Sequence, residues 1–103
     1  MNETASRIYH VTEQSALDAV TDGQYTCESL AQEGFIHCCT QDQLEGVLER
    51  YYQGASGLKQ LEIDTEKLVA RLVFENTVGG DELFPHVYGN INMDAVVSVS
   101  DID

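Results

Sequence analysis

Eight consecutive residues, Glu33-Gly34-Phe35-Ile36-His37-Cys38-Cys39-Thr40, constrain the chain most, because a helix stop, a strand and a helix start must all fit within them. Gly34 can take the positive φ that ends a helical segment. Phe35 to Cys38 then reads as a short buried strand, with Phe35 and His37 on one face and Ile36 and Cys38 on the other. Thr40 and Gln43 have the spacing of a capping box, which predicts a helix directly after the strand. Such a junction sets the last strand side chains beside unpaired backbone N–H groups and the positive end of a helix dipole. That environment suits an anion or a developing negative charge, and His37 is expected at its edge.

The flanking segments supply partners for this junction. Arg7 to Val11 carries β-branched and aromatic residues on both faces and reads as an interior strand, with His10 on the face of Ile8. Thr12 or Ser15 can cap a helix bearing Ala16, Leu17, Ala19 and Val20, closed by Asp22-Gly23. A second short helical piece is expected around Glu28 to Gln32. Leu44, Val47, Leu48 and Tyr51 follow helical spacing between Gln41 and Tyr52, which predicts a core helix stopped by Gly54 and Gly57. Leu58 to Ile63 reads as a strand, Asp64-Thr65 as the cap of one turn through Leu68, and Ala70 to Glu75 as another strand. Asn76 to Asp81, with Gly79-Gly80, fits an ordinary turn or a flap beside a pocket. His86 and Tyr88 share a face of the extended segment Glu82 to Gly89, which Pro85 should confine to a sheet edge or start at the proline. Asp94 to Val99 is the last strand, and the acidic tail Asp101 to Asp103 is expected to fray. The order β, α, α, β, α, then mainly β describes a single α+β domain over residues 1–103, with five or six strands and two or three helices.

Charge and thiols exclude several classes of function. Eighteen acidic residues against five basic ones, Arg7, Arg50, Lys59, Lys67 and Arg71, give a formal charge of −13, and the basic residues form no cluster. Such a field repels phosphate backbones and anionic membranes, so neither nucleic acid nor membrane is an expected partner. No apolar run approaches the roughly 20 residues that span a bilayer, and the first residues lack the pattern of a signal peptide, so the expected location is the cytoplasm. Cys27, Cys38 and Cys39 are odd in number, and two of them are neighbours facing opposite ways, which favours free thiols. Monomer or weak dimer is expected, self-association being possible through a sheet edge near Pro85 and opposed by the charge.

The three histidines, His10, His37 and His86, all fall in strands flanked by apolar residues. Buried imidazole nitrogens need partners, so three of them together suggest one shared polar pocket for a small molecule. Each taken singly also fits a satisfied core residue. Zinc held by the histidines and Cys39 is an alternative, but no paired ligand spacing such as C-x-x-C or H-x-x-x-H is present, and no metal is expected. Cys38 or Cys39 could act as a nucleophile with His86, its thiol activated by the helix after Thr40, or could be inert and buried. Glu82 and Glu75 are candidate carboxylates for general base work or for polarising a sugar hydroxyl.

Five segments together resemble the family called domain of unknown function 952. They are Ile8-Tyr9-His10-Val11-Thr12, Glu33 to Cys38, Leu61-Glu62-Ile63-Asp64 with Lys67-Leu68, Phe74-Glu75, and Glu82 to Gly89, and the resemblance spans about residues 7–99. Cys39 departs from it, standing where the family has a small hydroxyl residue. That family is similar in fold to the ADP-ribosyltransferases, which implies a split, mostly antiparallel pair of sheets with helices beside it. The resemblance further implies a nucleotide-like ligand such as NAD and transfer of its ADP-ribosyl group. Tyr9-His10-Val11-Thr12 is similar to the superfamily's Tyr-His-Gly-Thr motif, with Val11 in place of glycine. By that likeness His10 would meet the adenosine ribose and Thr12 the nicotinamide side, with Tyr9 and Tyr88 also binding the cofactor. Glu82 or Glu75 would stabilise an oxocarbenium-like transition state, and His37 occupies the stretch of the second motif, so His37, Glu82 and His86 are the expected catalytic set. A binding module that has the pocket without the chemistry is the alternative.

Overall fold

The computed structural model describes residues 6–76 and 82–102. Among them the chain runs β1 (Arg7–Glu13), α1 (Gln14–Asp18), β2 (Gln24–Tyr25), α2 (Glu28–Glu33), β3 (Ile36–His37), α3 (Gln41–Tyr51), β4 (Leu58–Asp64), β5 (Arg71–Glu75), β6 (Phe84–Tyr88), β7 (Ile91–Asn92), a 3-10 turn (Met93–Ala95) and β8 (Val96–Ile102). Two three-stranded sheets, ordered β1-β4-β8 and β3-β6-β5, and a β2-β7 pair are antiparallel throughout. The fold is thus α+β, with mostly antiparallel sheets and few helices. No helix among the described residues is long and apolar enough to cross a membrane.

The eight-residue junction joins the two larger sheets. Gly34 ends α2 at φ 93°, and Thr40 opens α3 with both bonds of a capping box. Between them β3 pairs with β6, while Cys39 exchanges two backbone hydrogen bonds with Tyr9 of β1, at 2.7 and 2.8 Å. One short segment therefore stitches one sheet to the other and leaves a split on either side of it. An added Cβ at Gly34 would meet no atom within 4 Å, so Gly34→Ala carries backbone strain without a clash. That strain is expected to cost about 1–2 kcal/mol, measured as a loss of unfolding free energy in urea.

The core gathers under this junction: Ile8, Ile36, Leu61, Ile63, Val87 and Ile91 are fully buried. Ile36 and Cys38 point into it, and Phe35 and His37 lie on the opposite face, as the alternation requires. Several expectations fail on local grounds. Neither Thr12 nor Ser15 caps α1, because β1 continues to Glu13, which takes the cap position without a side-chain bond. Helix α3 is no core helix: none of its residues is fully buried, and its Val47 and Tyr51 line the cleft instead. The turn at Asp64-Thr65 forms as expected, Asp64 accepting from Glu66 N through its side chain and from Lys67 N through its carbonyl.

Pro85 sits in a central strand, not an edge. Its carbonyl accepts from Cys38 N at 3.1 Å, and its missing N–H faces the same side, where the pairing with β3 ends. The proline thus forfeits one bond at the end of a ladder. The last strand starts at Val96 and continues through Asp101 and Ile102, which pair with Lys59 and Leu58, so that tail is held rather than frayed. The Gly79-Gly80 loop and Asp103 lie outside the described residues.

Candidate functional site

Strand β1 carries Tyr9, His10 and Thr12 to the split between the sheets, where they meet His37 of β3 and His86 of β6 in a cleft of about 710 Å³. His37 and His86 are register partners, which is why two histidines 49 positions apart in the chain lie edge to face at 5.3 Å. Phe35 stacks on His86 at 4.1 Å and meets the edge of His37 at 4.8 Å. The size is that of a small-molecule pocket. Its lining includes Tyr51, Tyr52 and Phe84, with Glu13, Glu28 and Glu33 among its polar groups, and among the described residues no lysine or arginine lines it.

His10 is buried and held at both nitrogens. Nδ1 is 2.7 Å from the His37 carbonyl and Nε2 is 2.7 Å from the hydroxyl of Tyr25, which in turn stands 2.8 Å from Thr12 Oγ1. A carbonyl only accepts, so the Nδ1 proton is fixed. Burial, only partly opposed by that carbonyl, pushes the imidazole pKa down to about 4, so the ring is neutral and Nε2 must accept. The Tyr25 hydroxyl thus links His10 Nε2 and Thr12 Oγ1 in one buried network. Tyr25, fully buried, keeps its own proton because burial raises its pKa. Tyr25 escaped the sequence reading. The signal available was a tyrosine two residues after the Asp22-Gly23 turn, a large polar-tipped side chain for which burial demands partners.

His86 is buried against Glu75: its Nδ1 donates to Glu75 Oε2 at 2.8 Å, and the same oxygen accepts from the Tyr88 hydroxyl. Those two hydrogen bonds, Tyr88's the larger, hold the Glu75 carboxyl below the usual range. His37 instead reaches outward, with Nε2 3.1 Å from Glu33 Oε1.

The expected set is therefore divided. Tyr9, His10, Thr12, His37 and His86 line one cleft; Tyr88 stands behind it, against Phe35 and Glu75. Glu82 does not line the cleft and lies 3.8 Å from Arg50, so of the two candidate carboxylates it is Glu75 that joins a histidine. The thiols are poorly suited to attack: burial raises Cys38 well above its ordinary pKa and Cys39 to about 12, and this outweighs the nearby helix terminus. Among the described residues no three His, Cys, Asp or Glu side chains converge to hold a metal ion, the His10 nitrogens being spent on a carbonyl and a hydroxyl.

The chain is similar over most of its length to the protein CC0527 of Caulobacter crescentus. The crystal structure of CC0527 is 26% identical and superposes with a TM-score of 0.83, covering 94% of this chain and 86% of that one. A crystal structure of a double mutant of it, 27% identical with the same coverage, gives 0.80. Its solution structure, 26% identical, gives 0.81 and covers 96% and 86%. No curated protein matches the chain. The model of the family described as protein of unknown function (DUF952) matches residues 10–99, and the chain belongs to that family.

Proposed function

We propose that the cleft binds a nucleoside-like ligand, NAD foremost, and activates the bond between its ribose and nicotinamide, as the resemblance to the ADP-ribosyltransferases implies. The observation that carries this reading is the convergence of Tyr9, His10, Thr12, His37 and His86 on one cleft at the split between the two sheets. Its aromatic side chains suit a flat ring. With Glu13, Glu28 and Glu33 in its lining and, among the described residues, no lysine or arginine there, it favours the cationic nicotinamide end inside and the pyrophosphate outside. His10 and Thr12 act here as a fixed polar floor, because their hydrogen bonds are already set before any ligand arrives.

A binding module without turnover is the second reading, and one observation favours it: Glu75 and Glu82, the carboxylates expected to serve the ribose, are both engaged away from the lining. Calorimetric titration with NAD, run beside an assay for released nicotinamide, separates the two. Sub-millimolar binding with release supports transfer, and binding without release supports the module. No heat and no release at millimolar NAD contradicts both.

A further inference from the structure

Building on the NAD-cleaving reading, we propose that His86 is the proton acceptor of the cleft and Glu75 the residue that positions it, the molecule deprotonated being a hydroxyl acceptor, with water the smallest example. His86 is 2% exposed, yet lines the cleft. Its Nδ1 donates to Glu75 Oε2 at 2.8 Å. Glu75 is ionised at neutral pH, held so first by Tyr88 and then by His86, and an ionised carboxylate can only accept. In its neutral form the ring therefore bears its proton on Nδ1 and its lone pair on Nε2. Every buried polar side-chain atom among the described residues has a partner, and Nε2 has none, so Nε2 is the part of the ring that reaches the cleft. Phe35, stacked at 4.1 Å, and the edge of His37, at 5.3 Å, fix the ring plane. When Nε2 takes a proton, the new charge faces the Glu75 carboxylate across the bond already in place.

The step balances without an oxidant. The acceptor's O–H proton passes to Nε2 while its electron pair stays on oxygen and forms the bond to ribose C1′. The bond from C1′ to the nicotinamide nitrogen breaks, and its pair neutralises the departing ring. His86 then gives its proton to water.

The test uses the full chain with nitrogen-labelled histidine, beside His86→Gln and the nearly isosteric Glu75→Gln. Imidazole nitrogen spectra should show His86 protonated on Nδ1 in the wild type and shifted to Nε2 in Glu75→Gln, a change that packing alone would not cause. With NAD and glycerol as the added hydroxyl acceptor, both variants should lose about 100-fold or more in kcat with little change in KM. Retained kcat, or an Nε2–H tautomer in the wild type, overturns the proposal. If the wild type leaves NAD intact, the NAD reading fails separately, and diethyl pyrocarbonate decides the role of His86. Faster acylation at His86 than at His10, slowed in Glu75→Gln, supports it, and an unreactive His86 overturns it.

Discussion

Acidification from pH 7 to pH 4 should strip about 3 kcal/mol from the folding free energy through His10 alone. In the unfolded chain this imidazole titrates near 6.5, and burial lowers it to about 4 in the fold. Between those values the unfolded state binds a proton that the native state refuses. The contribution is therefore present in full above pH 6.5 and is lost progressively as pH falls toward 4. Against the roughly 5–15 kcal/mol of a typical domain this is a large share. Glu75 extends the loss in the same direction below its ordinary value, because its folded pKa is lowered too. Urea unfolding at pH 7, 5.5 and 4 measures the slope, and His10→Gln should be less stable at pH 7 yet flatter between pH 6.5 and 4. An equally steep slope in that variant would assign the acid sensitivity elsewhere.

Tyr25→Phe is expected to destabilise the protein by about 1–3 kcal/mol, although it removes a single oxygen. That oxygen serves both the His10 Nε2 acceptor and the Thr12 hydroxyl, and its loss leaves both polar groups in a buried site. Because Thr12 and Tyr25 share one network, Thr12→Val and Tyr25→Phe should not add. The double variant should be more stable than the sum of the single losses predicts, by about 0.5–3 kcal/mol. Strict additivity in the urea midpoints at constant slope would dissolve the network into independent contacts.

Local chemistry made the junction legible in the sequence. Gly34, the alternation from Phe35 to Cys38 and the Thr40–Gln43 capping box depend on neighbours a few residues apart, and each is found as expected. The grouping of His10, His37 and His86 was also readable, since polar rings in apolar strands must converge or be satisfied one by one. What depended on distant pairing was not readable. Pro85 looked like an edge residue because nothing local reveals that β3 stops where the proline would need a partner. Asp101 and Ile102 looked like a loose acidic tail until the register placed them opposite Lys59 and Leu58. That Glu75 and not Glu82 meets a histidine follows from the register of β5 with β6, which sets Val73 opposite His86 and lets Glu75, two residues on, reach the ring from the same face.

The most direct test of a single preorganised pocket is the imidazole spectrum of the intact protein as NAD is added, because the chain holds only three histidines and each reports from a different strand. The His37 and His86 signals should move together and saturate at one sub-millimolar concentration, with His10 following while its proton stays on Nδ1. Three signals that stay fixed at millimolar NAD, or that saturate at different concentrations, would contradict it.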